Sequence, residues 1–175
     1  MVACYVFICE FYNFSTYYKT MGRFNFLCVD ESKNTVRAWE WYLENYHRPD
    51  DTIGLIHIIH IPNLSTMGVL VGGSITVENK AKESINKTKE NAEKIVNGFV
   101  KICEQAGHQY KVLLVEDHRT PGEVICELVK KNKADSIILA QRGLSEFSRT
   151  LLGSTSDHVL HHSDIPVLIV PPVRD

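Results

Sequence analysis

The sequence predicts an α/β fold in which a five-stranded parallel sheet is covered by helices on both faces. Five short apolar runs alternate with segments of helical periodicity along residues 23–175. The runs are nearly continuous in apolar character, as expected for strands that are buried on both sides of a sheet. With 175 residues, 44% of them hydrophobic, the chain has the size of one domain with a full core.

The first two predicted strands flank a helix. FNFLCVD (residues 24–30) is the first strand, and TIGLIHIIHIP (residues 52–62) is the second. The helix between them should begin at Ser32, whose hydroxyl suits an N-cap, and end at HRPDD. Its predicted apolar stripe consists of Val36, Trp39, Leu43 and Tyr46.

A glycine-rich stretch from Asn63 to Thr76 separates the second strand from a long helix. This stretch is the only long irregular segment of the sequence, and we predict a flexible loop over a site. The helix should begin near Val77 and end at Gly107. Its predicted apolar side consists of Ile85, Ala92, Ile95, Phe99 and Cys103.

The second half of the chain repeats the alternation of strands and helices. Thr120 followed by Pro121 is typical of a helix start, with an N-cap and then proline in the first turn. The other predicted elements are the third strand KVLLVED (residues 111–117), the fourth strand ADSIILA (134–140), the fourth helix from Ser154 to His162 and the fifth strand from Pro166 to Val170.

Residues 1–22 precede this pattern and are predicted to be an N-terminal extension of the domain formed by residues 23–175. Half of the chain's Phe and Tyr residues lie in the first 20 positions. The stretch lacks the basic start and small-residue cleavage site of a secretory signal. We therefore interpret it as an appendage, with Met21 as an alternative start.

Composition argues against several classes of partner. Lys and Arg number 19 against 21 Asp and Glu, and the only basic run is the short VKKNK, so nucleic acid is not expected. No run of about 20 apolar residues exists to span a membrane. The five cysteines form no CxxC pair, which favours a reduced, cytoplasmic setting.

The Gly153-Ser154 pair directly before the last predicted helix suggests an anion site. The first amides of a helix have no internal partners and lie at the positive end of its dipole. Glycine lets a phosphate approach these amides, and Ser154, Thr155 and Ser156 add hydroxyl donors. Gly143 would serve the facing side. The alternative is that Gly143 is a turn residue and Ser154 a plain N-cap.

Asp30 is the second candidate, because it ends the first strand. Ligands of open parallel sheets bind beyond the carboxyl ends of the strands, where the strand order reverses. The Asp30 carboxylate could accept hydrogen bonds from a ligand bound there, or hold a divalent ion. The alternative role is to cap the following helix, which Ser32 makes plausible.

Strong catalysis and a metal centre are not expected. The sequence has neither a GxSxG nucleophile elbow nor a GxxxxGK phosphate loop. His158, His161 and His162 share helical spacing, but no acid or cysteine supports them as ligands. We interpret these three histidines as a solvated helix face.

The glycine spacing resembles the motif of the universal stress protein family, Gly-x2-Gly-x9-Gly-Ser/Thr. Here Gly143 and Gly153-Ser154 match its second half, whereas Ala140 occupies the first glycine slot. The opening FNFLCVDESKNTVRAWEWYLEN, the run LIHIIHIP and the closing LLGSTSDHVLHHSDIPVLIV are also similar to the family's segments. The resemblance extends from about Arg23 to Val173.

This resemblance implies a flavodoxin-like, three-layer sandwich of the HUP type with strand order 3-2-1-4-5. It also implies ATP or AMP as the ligand, with Mg²⁺ accompanying a triphosphate. Ile58 takes the position that reads the adenine edge through its backbone, and Leu139 and Ala140 line the ribose side. The implied nucleotide-binding residues are Cys28, Val29, Asp30, Ile58, Leu139, Ala140, Arg142, Gly143, Gly153, Ser154, Thr155 and Ser156.

The function implied is that of a nucleotide-binding stress-response or signalling module with at most weak ATP hydrolysis. A homodimer is expected through the strand from Pro166 to Val170, because this apolar edge lacks charge and invites pairing. The alternatives are a dimeric scaffold that has lost nucleotide binding and, more distantly, a slow ATP hydrolase. The Ala140 substitution favours the scaffold, whereas Asp30, Gly143 and Gly153 favour binding.

Overall fold

A single sheet organises the part of the chain that the computed structural model describes, which comprises residues 6–7, 22–61, 75–141 and 152–172. Its strands are β1 (Val6–Phe7), β2 (Phe24–Cys28), β3 (Thr52–His60), β4 (Gln109–Asp117), β5 (Ser136–Ala140) and β6 (Val167–Val170). The helices are α1 (Lys33–Asn45), α2 (Ile75–Ala106), α3 (Pro121–Asn132) and α4 (Ser154–His162).

The sheet order is β1-β4-β3-β2-β5-β6. The strands β2 to β6 are all parallel to their neighbours, so their order, counted from β2, is the predicted 3-2-1-4-5. The α/β fold class is thus confirmed. Val6 and Phe7, which precede the predicted domain, form β1, which pairs antiparallel with β4 and widens the sheet by one short strand.

Helix α1 begins as predicted but buries a different face. The Ser32 side chain accepts a hydrogen bond from the Thr35 amide, which makes Ser32 the N-cap. The predicted stripe was wrong at Val36, which is 48% exposed. The buried face consists of Thr35, Ala38, Trp39 and Tyr42. The small Thr35 and Ala38 allow α1 to approach the sheet closely.

Helix α2 is longer than predicted. It begins at Ile75 and not near Val77, so the last two residues of the stretch assigned to a loop are helical. The rest of that stretch lies outside the described residues. The helix ends at Gly107, whose φ of 70° is the left-handed conformation that glycine adopts at little cost. The buried side of the helix is formed by Ala92, Val96, Phe99 and Cys103.

Two apolar clusters cover the two faces of the sheet. The cluster under α1 and α2 contains Val29, which directly follows β2, and from the strands Leu27, Ile53, Leu55, Ile138 and Val170. The cluster under α3 and α4 contains Phe26, Ile56, Leu113, Val115, Ile137 and Leu139 from the strands. The alternation of β2 residues between the clusters follows from the two-residue period of a strand. This burial on both faces explains why the strands read as continuous apolar runs.

Helices α3 and α4 pack closely on each other at Gly122. A methyl group on Gly122 would lie 2.8 Å from Cβ of His158, so glycine is needed there. His158 is half-buried against α3 and stacks on His162 at 4.1 Å, whereas His161 and His162 are exposed. The solvated face predicted for these histidines was therefore wrong for His158. In the described ranges, no three His, Cys, Asp or Glu side chains cluster in a way that could hold a metal ion.

A buried polar network joins the amino ends of three strands. Its centre is Asp51, which is 1% exposed and forms an ion pair with Arg23 at 2.6 Å. The Asn25 amide nitrogen donates to Asp51 at 3.0 Å, and Ser136 donates its hydroxyl proton to the Asn25 oxygen at 2.8 Å. These bonds connect β2, β5 and the start of β3 at the sheet edge that lies opposite the carboxyl ends of the strands.

The network continues to a pair of histidines. Asn25 also donates to the Tyr42 oxygen, which is hydrogen-bonded to Nδ1 of His47 at 3.2 Å. Nε2 of His47 is in turn hydrogen-bonded to Nδ1 of His108 at 3.1 Å. Burial, followed by the neighbouring His108, lowers the pKa of His47, which favours its neutral form. The bond ties the turn after α1 to the turn after α2.

No helix among the described residues has both the length and the apolar composition needed to cross a membrane.

Candidate functional site

On the β5 side of β2, backbone pairing stops before β5 ends, and we call this end of the ladder a gap. Pairing between β2 and β5 ends at Leu27 and Ile138, although β5 continues to Ala140 along β6. Backbone groups alternate in direction along a strand, so the N–H and C=O of Ala140 point toward β2, as those of Ile138 do. The Cys28 carbonyl faces the same gap. This is the point where the strand order reverses.

A second gap lies on the β3 side of β2. Pairing ends with Cys28 and Ile56, followed by one more bond of 2.8 Å from the Val29 amide to the Ile56 carbonyl. By the same alternation, the N–H and C=O of Ile58 point toward β2, beyond its last paired residue. We call these two gaps, bordered by the backbone of Cys28, Val29, Ile58 and Ala140, the β2 crevice.

Helix α4 begins at the same edge of the sheet, because it follows the carboxyl end of β5 and returns to the start of β6. Its first internal hydrogen bond runs from the Asp157 amide to the Gly153 carbonyl. The amides of Ser154, Thr155 and Ser156 precede that bond and have no partner within the helix. They form a cluster of donors at the positive end of the helix dipole.

Gly153 is the N-cap of α4, and its conformation does not require glycine. Its φ of −64° and ψ of 152° are accessible to any residue. A methyl group placed on Gly153 would have no described atom within 4 Å. Among the described residues, the glycine therefore leaves open space next to the α4 amides, which suits close approach by a ligand.

Asp30 contributes to the cap of α1. Its Oδ1 accepts hydrogen bonds from the Ser32 amide at 2.9 Å and from the Thr35 hydroxyl. The capping role raised as an alternative in the sequence is thus present in the structure. Because these bonds hold the carboxylate next to the end of β2, they also keep it beside the crevice.

The other predicted site residues differ in accessibility. Ile58 and Ala140 are half-buried, whereas Leu139 is 4% exposed and belongs to the core under α3 and α4. The Ser156 side chain is buried, so only the hydroxyls of Ser154 and Thr155 lie in the accessible part of the first turn. Arg142 and Gly143 lie outside the described residues.

The Cys28 side chain borders the crevice as a thiol with a raised pKa. Burial, followed by the charge of Asp30 and the nearby Cys126, raises the pKa of Cys28 to about 12. The side chain packs into the apolar cluster under α3 and α4. Cys28 therefore borders the crevice with an uncharged side chain.

One residue at the crevice was missed by the sequence reasoning. Nδ1 of His57 lies 2.7 Å from the Val29 carbonyl oxygen and bridges β3 and β2 where their backbone pairing stops. No motif or spacing in the sequence marks His57. Its position directly before Ile58, in a strand otherwise rich in apolar residues, was the available signal.

The chain is similar to known proteins along most of its length. The model of the Universal stress protein family matches residues 26–171. Universal stress protein PHOS32 from Arabidopsis thaliana is 26% identical in an alignment 165 residues long, and the match covers 85% of this chain and 65% of that protein. The chain thus spans slightly less than two thirds of this curated relative.

Two solved structures show the same fold. The structure of MJ0577, a universal stress protein from Methanocaldococcus jannaschii, has a TM-score of 0.70 at 24% identity and covers 89% of this chain and 99% of its own. A universal stress protein family protein from Arabidopsis thaliana with AMP bound has a TM-score of 0.59 at 20% identity, covering 85% and 90%.

Proposed function

The chain belongs to the universal stress protein family, and we propose that it binds an adenine nucleotide, AMP or ATP, in the β2 crevice. The observation that carries this proposal is the set of backbone groups that point into the crevice from Ile58 and Ala140, at the same sheet edge as the first amides of α4. The AMP bound to the related Arabidopsis protein supports the choice of ligand.

The base would be read by Ile58. Its N–H donates and its C=O accepts, which complements the acceptor N1 and the donor amino group of adenine. Guanine presents the opposite order at these positions, a donor N1–H and an acceptor oxygen. The backbone of one residue would thus select adenine without a polar side chain.

The phosphates would bind at the start of α4. The amides of Ser154 and Thr155 and their hydroxyls supply donors, and the open space at Gly153 admits the anion. Arg142 and Gly143 are proposed to complete the phosphate contacts. Asp30 would border the ribose or hold Mg²⁺ beside a triphosphate.

Ala140 is compatible with this site although the family motif has glycine there. Its side chain packs against the cluster under α1 and α2, whereas its backbone points toward β2. The methyl group therefore faces the core, and this placement favours nucleotide binding over the scaffold alternative.

Calorimetric titration with AMP, ATP and GMP, with and without Mg²⁺, tests the proposal. We expect AMP to bind at least about tenfold more tightly than GMP, because GMP would leave the Ile58 backbone groups unpaired. Absence of binding by AMP and ATP would favour the scaffold. Phosphate release from ATP over hours would reveal slow hydrolysis.

We further propose that the protein is a cytoplasmic stress-response or signalling module without strong catalysis. Residues 1–22 would extend a domain formed by residues 23–175. The nucleotide would change the surface offered to a partner, because the crevice and the start of α4 lie at one edge of the domain.

A homodimer through β6 is part of the proposal, since β6 is an edge strand of apolar residues, the first three of them half-buried. Leu168→Glu should convert the dimer to a monomer, because a charge would be buried at the contact. Light scattering after size exclusion measures the mass. Leu160→Glu, at an exposed position of α4, is the control. An unmutated protein that is monomeric at high micromolar concentration would contradict the dimer.

A further inference from the structure

The Val29 carbonyl has an unusual partner for a residue beside a parallel sheet. The Val29 amide already donates to Ile56. In a regular ladder, the next bond would run from the Ile58 amide to the Val29 carbonyl. Among the described residues, pairing of β2 with β3 stops one step earlier, at Cys28 and Ile56, and this next bond is not formed.

The His57 ring takes the place of that bond. A carbonyl oxygen only accepts, so Nδ1 of His57 carries the proton that is donated to Val29 over 2.7 Å. The His57 backbone pairs with β4 beside Leu114, and its side chain alone reaches across to β2. The imidazole therefore satisfies the Val29 carbonyl while the two strands separate.

We propose that His57 is a positioning residue of the nucleotide site, which holds the Val29 carbonyl so that the Ile58 amide stays available to the base. This inference rests on the proposed function, because Ile58 is the residue assigned to the adenine edge. His57 does not contact the nucleotide. It acts by preventing one further step of pairing between β2 and β3.

Loss of the imidazole has a specific structural consequence. A buried carbonyl without a donor is unfavourable, and the nearest backbone donor that points toward it is the Ile58 amide. In the His57→Leu variant, β2 and β3 should close by this one bond. The base would then lose its donor without any change in the residues that touch it.

The experiment compares AMP affinity in three variants. His57→Leu should weaken AMP binding at least about tenfold, the cost of one hydrogen bond to a buried group. His57→Asn places an amide N–H near the position of Nδ1 and should retain affinity within about threefold. His60→Leu is the matched control, because His60 also lies on β3 and bonds a backbone carbonyl, that of Arg119. Its affinity should equal that of the unmutated protein.

Hydrogen exchange of the Ile58 amide separates positioning from a general loss of structure. In the free protein, this amide should exchange faster than that of Ile56 and become slow when AMP is added. In free His57→Leu, it should already be slow, because it donates to Val29. A variant that is merely destabilised would show faster exchange throughout the strand.

The outcomes distinguish this inference from the proposed function. If the unmutated protein binds AMP and His57→Leu binds equally well, the role of His57 is wrong and the nucleotide site stands. If the unmutated protein binds no nucleotide, the proposed function fails and this inference, which depends on it, fails as well. Slow exchange of the Ile58 amide in the free, unmutated protein would also overturn the inference.

Discussion

Replacing Gly153 with valine is expected to weaken AMP binding at least about a hundredfold while leaving the fold intact. The isopropyl group would fill the open space in front of the first amides of α4, where the phosphate is proposed to bind. Charge-assisted hydrogen bonds to these amides would be lost, and about a hundredfold corresponds to roughly two of them. The backbone at Gly153 lies in the extended region, which valine tolerates.

Calorimetric titration measures the affinity of Gly153→Val for AMP, and thermal unfolding measures whether its fold is intact. Gly98→Val is the matched control, because a side chain at Gly98 in α2 also meets no described atom within 4 Å. The control should bind AMP normally. If Gly153→Val binds AMP like the unmutated protein, the phosphate does not sit at the start of α4.

Replacing Asp51 with alanine is expected to cost about 3–5 kcal/mol of unfolding free energy, the usual result of removing one partner of a buried ion pair. The carboxylate accepts from the guanidinium and amide of Arg23, from Asn25 and from the Arg48 amide. Removing it leaves these donors without an acceptor at the amino edge of the sheet. Nucleotide binding at the opposite edge should persist in the folded fraction.

The unfolding free energy lost in Asp51→Ala should depend on pH. Burial opposes ionisation of Asp51, but hydrogen bonds from Arg23 and Arg48 outweigh this effect and hold its pKa below the usual value. The stabilisation is therefore present above the unfolded-state pKa and disappears as pH falls through the folded-state pKa. In urea unfolding, the difference in unfolding free energy between the unmutated protein and Asp51→Ala should be smaller at acidic pH than at neutral pH. Asp157→Ala, at an exposed position, is the control. A neutral-pH loss below about 1 kcal/mol would contradict the network's role.

The fold was predictable because its signals are local and repeated. Apolar runs marked the strands, and Ser32, Thr120 and Gly107 marked helix ends through capping chemistry. The buried face of α1 was partly missed. The helical periodicity predicted that Val36 and Trp39 would both be buried. In the structure, the buried face of α1 carries Thr35 and Ala38 next to Trp39.

The site was only partly readable from the sequence. Asp30 and Gly153 were recognised by position and spacing, Ile58 only through the family resemblance, and the ligand roles of all three stay predictions. The contact of His57 with Val29 was not readable, because it depends on where the pairing of two strands stops. The Asp51 network was missed for the same reason, since Arg23, Asn25 and Ser136 meet only after three strands align.

The most direct test of the central claim is a titration of the ¹⁵N-labelled protein with AMP, followed through its amide signals. The claim is that backbone groups on both sides of the β2 end, together with the first amides of α4, hold the nucleotide. We predict that the signals of Ile58, Ala140, Ser154 and Thr155 shift most and saturate together. If these four signals stay in place while AMP binds elsewhere or does not bind, the account is contradicted.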